Sequence, residues 1–229
     1  MPLSLQSRQI GAITVVKCSG RLAEGADSAA LQQHLADQVP PARHLILDLG
    51  GVTFIDSSGL GLLVRLLTRA RAAGGDLKLC LVSSKIREVM EVTKLRTVFE
   101  SYESEIAAIA AFYQREKSAG TLYRFNIDIL CVEQSADVLA YVRELLGQAG
   151  FGVITANNLA DALTLLQATR PKVVVIGADL NQAKGTRTAE TFYALTRTIA
   201  VIQLSQAFSG LDAGEAGHHL LDQVRAAIA

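Results

Sequence analysis

An apolar run, Leu45-Ile46-Leu47-Asp48-Leu49, leads through Phe54-Ile55-Asp56-Ser57-Ser58-Gly59-Leu60-Gly61 into an apolar stretch from Leu62 to Ala73. A buried strand, a turn and a helix at that spacing make a βα unit, which needs a sheet to pack on. Two hydroxyls and a carboxylate fall at the helix N-terminus, where free N–H groups and the helix dipole favour negative charge. A serine there is well placed to carry a phosphate, about −1.5 to −2 charges, that turns a docking surface on or off. Capping is the simpler role of the same residues: Asp and Ser are favoured N-caps, and replacing one costs about 0.5–2 kcal/mol. Gly59 and Gly61 either admit another backbone or permit tight packing.

The alternation continues on both sides. In the first half, Ile10 to Cys18 reads as a strand, Ser28 to Gln38 as a helix stopped by Pro40-Pro41, and His44 to Leu49 as the next strand. Gly74-Gly75 ends the helix after the Asp-Ser-Ser turn. Leu77 to Val82 is a strand, Lys85 to Thr93 a helix, Val98-Phe99 a short edge strand, and Ser104 to Tyr113 a closing helix. A polar stretch, Gln114 to Thr121, separates this half from a second alternation. Strands are expected at Asn126 to Val132, Gly152 to Thr155, Val173 to Ile176 and Ile199 to Leu204. Helices are expected at Ser135 to Ala149, Leu159 to Ala168, Thr188 to Thr196 and Glu215 to Ile228. That is a doubly wound α/β pattern with a mainly parallel sheet. The expected division is residues 1–114, a linker 115–123, and residues 124–229.

Half of the residues are apolar, 19% are charged and the net charge is zero. This excludes a disordered chain and gives no bulk attraction to nucleic acid or an anionic membrane. No run approaches the roughly 18–20 apolar residues of a membrane span. The N-terminal MPLSLQSRQI lacks the apolar core of a signal peptide, so a cytoplasmic location is expected. Cys18, Cys80 and Cys131 each sit in an apolar strand, odd in number and far apart, and read as buried free thiols. His34, His44, His218 and His219 form no metal-ligand spacing, and His218-His219 is expected to be solvated. Gly50-Gly51 and Gly74-Gly75 make no phosphate loop. No cofactor or metal is called for. Arg65, Arg69 and Arg71 read as a basic helix face, solvated or meeting an acidic partner.

Residues 1–114 resemble the STAS domain family, most closely the bacterial anti-sigma factor antagonists. The resemblance is carried by Gly20-Arg21-Leu22, the strand Leu45 to Leu49, Phe54 to Gly61, Gly74-Gly75 and the strand ending at Val82. It implies a small mixed sheet flanked by helices. It also implies a non-enzymatic regulator of transcription that captures an anti-sigma factor, often a serine protein kinase, and is released by phosphorylation of the serine after the aspartate. That serine is Ser57, and the resemblance implies that Asp56, Ser58 and Gly59 around it, with Glu24, bind the partner. Members of this family commonly have an acidic residue directly after the Gly-x-Leu group. Here Ala23 stands there, followed by Glu24, so the contact either shifts to Glu24 or is lost. A constitutive scaffold in a signalling assembly is the alternative, since the Ser57 pattern can persist without a kinase.

Residues 124–229 resemble a response-regulator receiver domain, with a flavodoxin-like fold, in degenerate form. The resemblance rests on Ile127 to Gln134, Asp137 to Leu146, Ala149-Gly150-Phe151-Gly152-Val153 and Arg170 to Ile176. A working receiver clusters carboxylates around Mg²⁺, which demands hard oxygen ligands. Here the acidic pair is reduced to Glu133 and Gln134, and the acceptor position is Gly177. Asp179 lies two residues on, Ser205 occupies the hydroxyl position, and the lysine of that family has no clear counterpart. The resemblance implies a pseudo-receiver serving homodimerisation or docking. Phosphotransfer through Asp179 with Glu133 as metal ligand is the rival reading, against Asp179 as a plain turn residue.

Overall fold

The computed structural model describes residues 2–38, 44–115, 127–177, 180, 186–204 and 213–228. The chain forms two compact units, Met1–Phe112 and Tyr113–Ala229. The Pro40-Pro41 stop and the polar stretch beyond residue 115 lie outside the described residues.

The first unit is built on a five-stranded mixed sheet in the order β1-β2-β3-β4-β5. Strand β1 (Ser4–Ile10) runs antiparallel to β2 (Ile13–Leu22) around a turn in which Gly11 takes a positive φ of 58°. The expected single strand from Ile10 to Cys18 is thus one arm of a hairpin. The other arm escapes a hydrophobic reading because it is a polar edge, SLQSRQI, mostly exposed. Helix α1 (Ala26–Gln38) leads to β3 (His44–Ile55), which is parallel to β2. Strand β3 does not stop at Leu49. It passes Gly50-Gly51 with register shifts and stays paired as far as Arg21↔Phe54 and Leu22↔Ile55.

Helix α2 (Ser57–Ala72) starts immediately after β3, at Ser57 rather than Leu62. Its two glycines interrupt the apolar period in sequence without breaking the helix. It ends as expected at Gly74 (φ 78°), where Gly75 N–H bonds back to the Ala70 carbonyl at 2.9 Å. Strand β4 (Asp76–Cys80), helix α3 (Ser84–Val92), strand β5 (Glu100–Tyr102) and helix α4 (Glu105–Arg115) complete the unit. The strand expected at Val98-Phe99 is displaced. A 3₁₀ turn covers Leu95–Thr97, Phe99 is buried in the core, and the polar Glu100–Tyr102 pairs with Lys78–Cys80. Sheet order, not hydrophobicity, selects that edge.

Alternation in the strands and the 3.6-residue period of α2 bring one core together. Leu45, Leu47 and Leu49 of β3 and Leu77 and Leu79 of β4 meet Leu62, Leu63, Leu66 and Leu67 of α2 and Ile86 and Met90 of α3. Each such side chain gains roughly 1.5–3 kcal/mol from burial. This packing holds α2 against the sheet and fixes which of its residues face solvent. Lys78, on the opposite face of β4, is wholly buried. Its ammonium pairs with Glu100 and lies 4.8 Å from the Phe112 ring centre.

The second unit is a four-stranded, all-parallel sheet in the order β7-β6-β8-β9. Its elements are β6 (Ile127–Val132), α5 (Ala136–Gln148), β7 (Gly152–Ala156), α6 (Leu159–Thr169), β8 (Val173–Ile176), α7 (Arg187–Thr196), β9 (Ala200–Gln203) and α8 (Ala213–Ile228). Strand β8 is an unbroken buried run, as a parallel strand covered on both faces should be. Side chains of alternate parity, such as Ile129 and Cys131, pack with Val142 and Leu146 of α5 and with Leu220 and Val224 of α8. Ser135, Asn158 and Thr186 cap α5, α6 and α7 through their side-chain oxygens. The order reverses at β6, which has β7 on one side and β8 on the other. A sheet of this kind opens a crevice at such a point, beyond the carboxyl ends of the strands.

Candidate functional site

Asp56 is the N-cap of α2. Its Oδ1 accepts the Gly59 N–H at 2.8 Å, satisfying one of the unpaired donors of the first turn. Its Oδ2 accepts the Glu24 N–H at 3.0 Å, and its own N–H donates to the Leu22 carbonyl. The loop after β2 is thereby tied to the start of α2. These bonds, the Gly59 N–H first and the Glu24 N–H second, hold the Asp56 carboxyl below its ordinary range.

The cap leaves Ser57 exposed as the first helical residue, with Ser58 half-buried beside it. Gly59 is buried beneath the loop: a Cβ there would stand 2.2 Å from the Leu22 carbonyl oxygen. It shapes the face from below by admitting the Leu22 backbone. Glu24 is exposed, and its backbone rather than its carboxylate meets Asp56. Asp56, Ser57, Ser58, Gly59 and Glu24 are therefore gathered at one place.

Two further residues flank this face. Phe54, at the end of β3, is 45% exposed, and the Arg21 guanidinium lies 4.8 Å above its ring. Their signal is the cross-strand pair Arg21↔Phe54, which needs the sheet register to be seen. The three arginines of α2 do not share one face. Arg71 turns away and its Nε bonds Asp76 Oδ1 at 3.1 Å, while Arg65 and Arg69 are exposed one turn apart.

In the second unit, Glu133 follows β6 and Gly177 follows β8, side by side at the order reversal. Gly177 N–H bonds the Val132 carbonyl at 2.8 Å. Glu133 Oε1 accepts the Ser135 N–H at 3.0 Å, and Oε2 lies 1.7 Å from where a Cβ of residue 177 would be. The carboxylate of Glu133 fills the space of the missing side chain. Asp179 and Ser205 lie outside the described residues. Cys18, Cys80 and Cys131 are buried and free. Burial pushes each thiol up to about 12, with nearby carboxylates adding to it. Among the described residues no cluster of His, Cys, Asp and Glu could hold a metal, and no helix is long and apolar enough to cross a membrane. His218 and His219 are exposed within α8, after its first turn.

Residues 4–108 match the STAS domain. BtrV of Bordetella bronchiseptica, which is named for an anti-sigma factor antagonist role, is 32% identical over 99 residues, covering 43% of this chain and 85% of that protein. The anti-sigma F factor antagonist of Paenibacillus polymyxa is 26% identical over 110 residues, covering 48% of this chain and 94% of its own length. A solved structure from Thermotoga maritima, also named for an anti-sigma factor antagonist role, superimposes with a TM-score of 0.44 at 19% identity, over 47% of this chain and 93% of that one. With the capped Asp-Ser-Ser turn at the start of α2 and a relative matched over most of its length, the chain belongs to the STAS domain family of anti-sigma factor antagonists.

Proposed function

We propose that the first unit captures an anti-sigma factor that is itself a serine protein kinase, and that phosphorylation of Ser57 by that partner ends the capture. The chain would then regulate transcription by partner exchange, without catalysis or cofactor. The observation that carries this is the exposed Ser57 hydroxyl on a first turn whose cap is supplied by a different residue, Asp56. A phosphate there adds charge and bulk to the surface without taking a bond from the cap. Two relatives bear the name anti-sigma factor antagonist, which supports the choice of partner. Glu24 and Ser58 border Ser57 and are the contacts proposed for the partner. For the second unit we propose docking or self-association.

The test is capture from a lysate of the source organism with three baits: wild type, Ser57→Ala, and protein carrying phosphoserine at position 57. A kinase-type anti-sigma factor held by the first two and lost with the third is expected. The same partners on all three would sink the switch and favour a constitutive scaffold.

A further inference from the structure

Ser57 and Gly61 lie one turn apart on the solvent side of α2, so their Cβ positions are about 5–6 Å apart. Helical side chains lean back toward the N-terminus, and Arg65, one more turn along, does so. Its Nη1 sits 3.5 Å from where a Gly61 Cβ would be. The guanidinium is exposed, and among the described residues no carboxylate is paired with it. Arg69 is one turn further from Ser57, and Arg71 is engaged by Asp76. Absence of a side chain at Gly61 leaves the path from the Ser57 hydroxyl to the Arg65 guanidinium open.

We infer that Arg65 is the residue that holds a phosphate on Ser57, reaching back to it along the helix over Gly61. The inference rests on Ser57 as the modified residue. It adds how the modified surface is organised. The phosphate does not project freely into solvent; the phosphate and guanidinium together cover the glycine-floored strip between them. Modification would therefore block a partner by filling that strip as well as by its charge. Arginine suits this role, since its planar fork can give two parallel N–H bonds to one phosphate. The other charged groups at this end are Asp56, whose oxygens are committed to backbone N–H groups, Glu24, and Arg21, which is stacked on Phe54.

The test needs neither kinase nor partner. Phosphoserine is placed at position 57 of the full chain during translation, and the phosphate is titrated by ³¹P NMR. A guanidinium in contact favours the dianion, so the second ionisation of the phosphate should fall. Arg65→Gln should raise it by roughly 0.5 pH units at low salt. Gly61→Leu, which interposes a side chain while keeping Arg65, should raise it similarly. Arg71→Gln should leave it nearly unchanged. Equal titration in wild type and Arg65→Gln would overturn the inference, as would an equal effect of Arg71→Gln, which would signify net charge rather than contact. The partner assay fails or succeeds separately: a phosphoserine protein that still binds its partner refutes the switch, whatever the phosphate titration shows.

Discussion

Alanine at two glycines of the same helix should have opposite effects. At Gly59 a Cβ would stand 2.2 Å from the Leu22 carbonyl oxygen and 3.0 Å from Ile55 Cγ1. An ordinary carbon–oxygen contact is about 3.3 Å or more, so the start of α2 must retreat by about 1 Å. Leu22 cannot yield easily, because it is in register with Ile55 and its carbonyl accepts the Asp56 N–H. Overpacking of this kind costs about 1–3 kcal/mol. Loss of the Asp56–Gly59 cap adds about 1 kcal/mol. The helix preference for Ala over Gly returns up to about 1 kcal/mol, which leaves Gly59→Ala destabilised by about 1–3 kcal/mol. At Gly61 the added methyl meets only Arg65 Nη1, at 3.5 Å. There the helix preference is unopposed, and Gly61→Ala should stabilise by about 0.5–1 kcal/mol. Hydrogen exchange of peptides from β3 and α2 against urea reads the first unit separately from the second. Gly59→Ala within about 0.3 kcal/mol of wild type, or Gly61→Ala equally destabilised, would refute the packing argument.

Three other outcomes are expected. The Asp56 carboxyl is held below its ordinary range, so its contribution to stability is fully present above the unfolded-chain value near 3.8 and is lost as pH falls through the lower folded value. The Glu24 and Gly59 amide shifts should therefore titrate together, with a midpoint below 3.8; a midpoint at or above it would contradict the two bonds. With their thiols pushed up to about 12, Cys18, Cys80 and Cys131 should resist alkylation at pH 8 and all react once the chain is denatured. Prompt labelling of the native protein would show the strands to be open. Gly177→Ala should displace the Glu133 carboxylate and break its bond to Ser135, costing about 1 kcal/mol, while Glu133→Ala in the same chain should relieve most of that cost. Additive effects in the two single variants and the double variant would exclude the contact.

Much of the site is legible in the sequence. Asp56 followed by two serines and an apolar helix period announces a capped N-terminus, because a cap is a local bond between residues three apart. The described elements of the second unit fall within a few residues of their expected positions, since parallel strands buried on both faces appear as continuous apolar runs. The first unit is harder to read at its edges. Strand β1 is polar because one side faces water, and β5 has no apolar residue but Tyr102. Neither leaves a hydrophobic signal.

The alternation of strand and helix, the buried thiols and a serine at the start of a helix are properties of neighbouring residues, and the sequence determined them by itself. Tertiary structure decided what depends on residues distant along the chain. It placed Leu22 over Gly59, paired Arg21 with Phe54, and put the Glu133 carboxylate into the space beside Gly177. Periodicity tells which side of an element is buried; it carries no information about which element lies opposite. That is decided by sheet order and register, where many weak contacts are satisfied together.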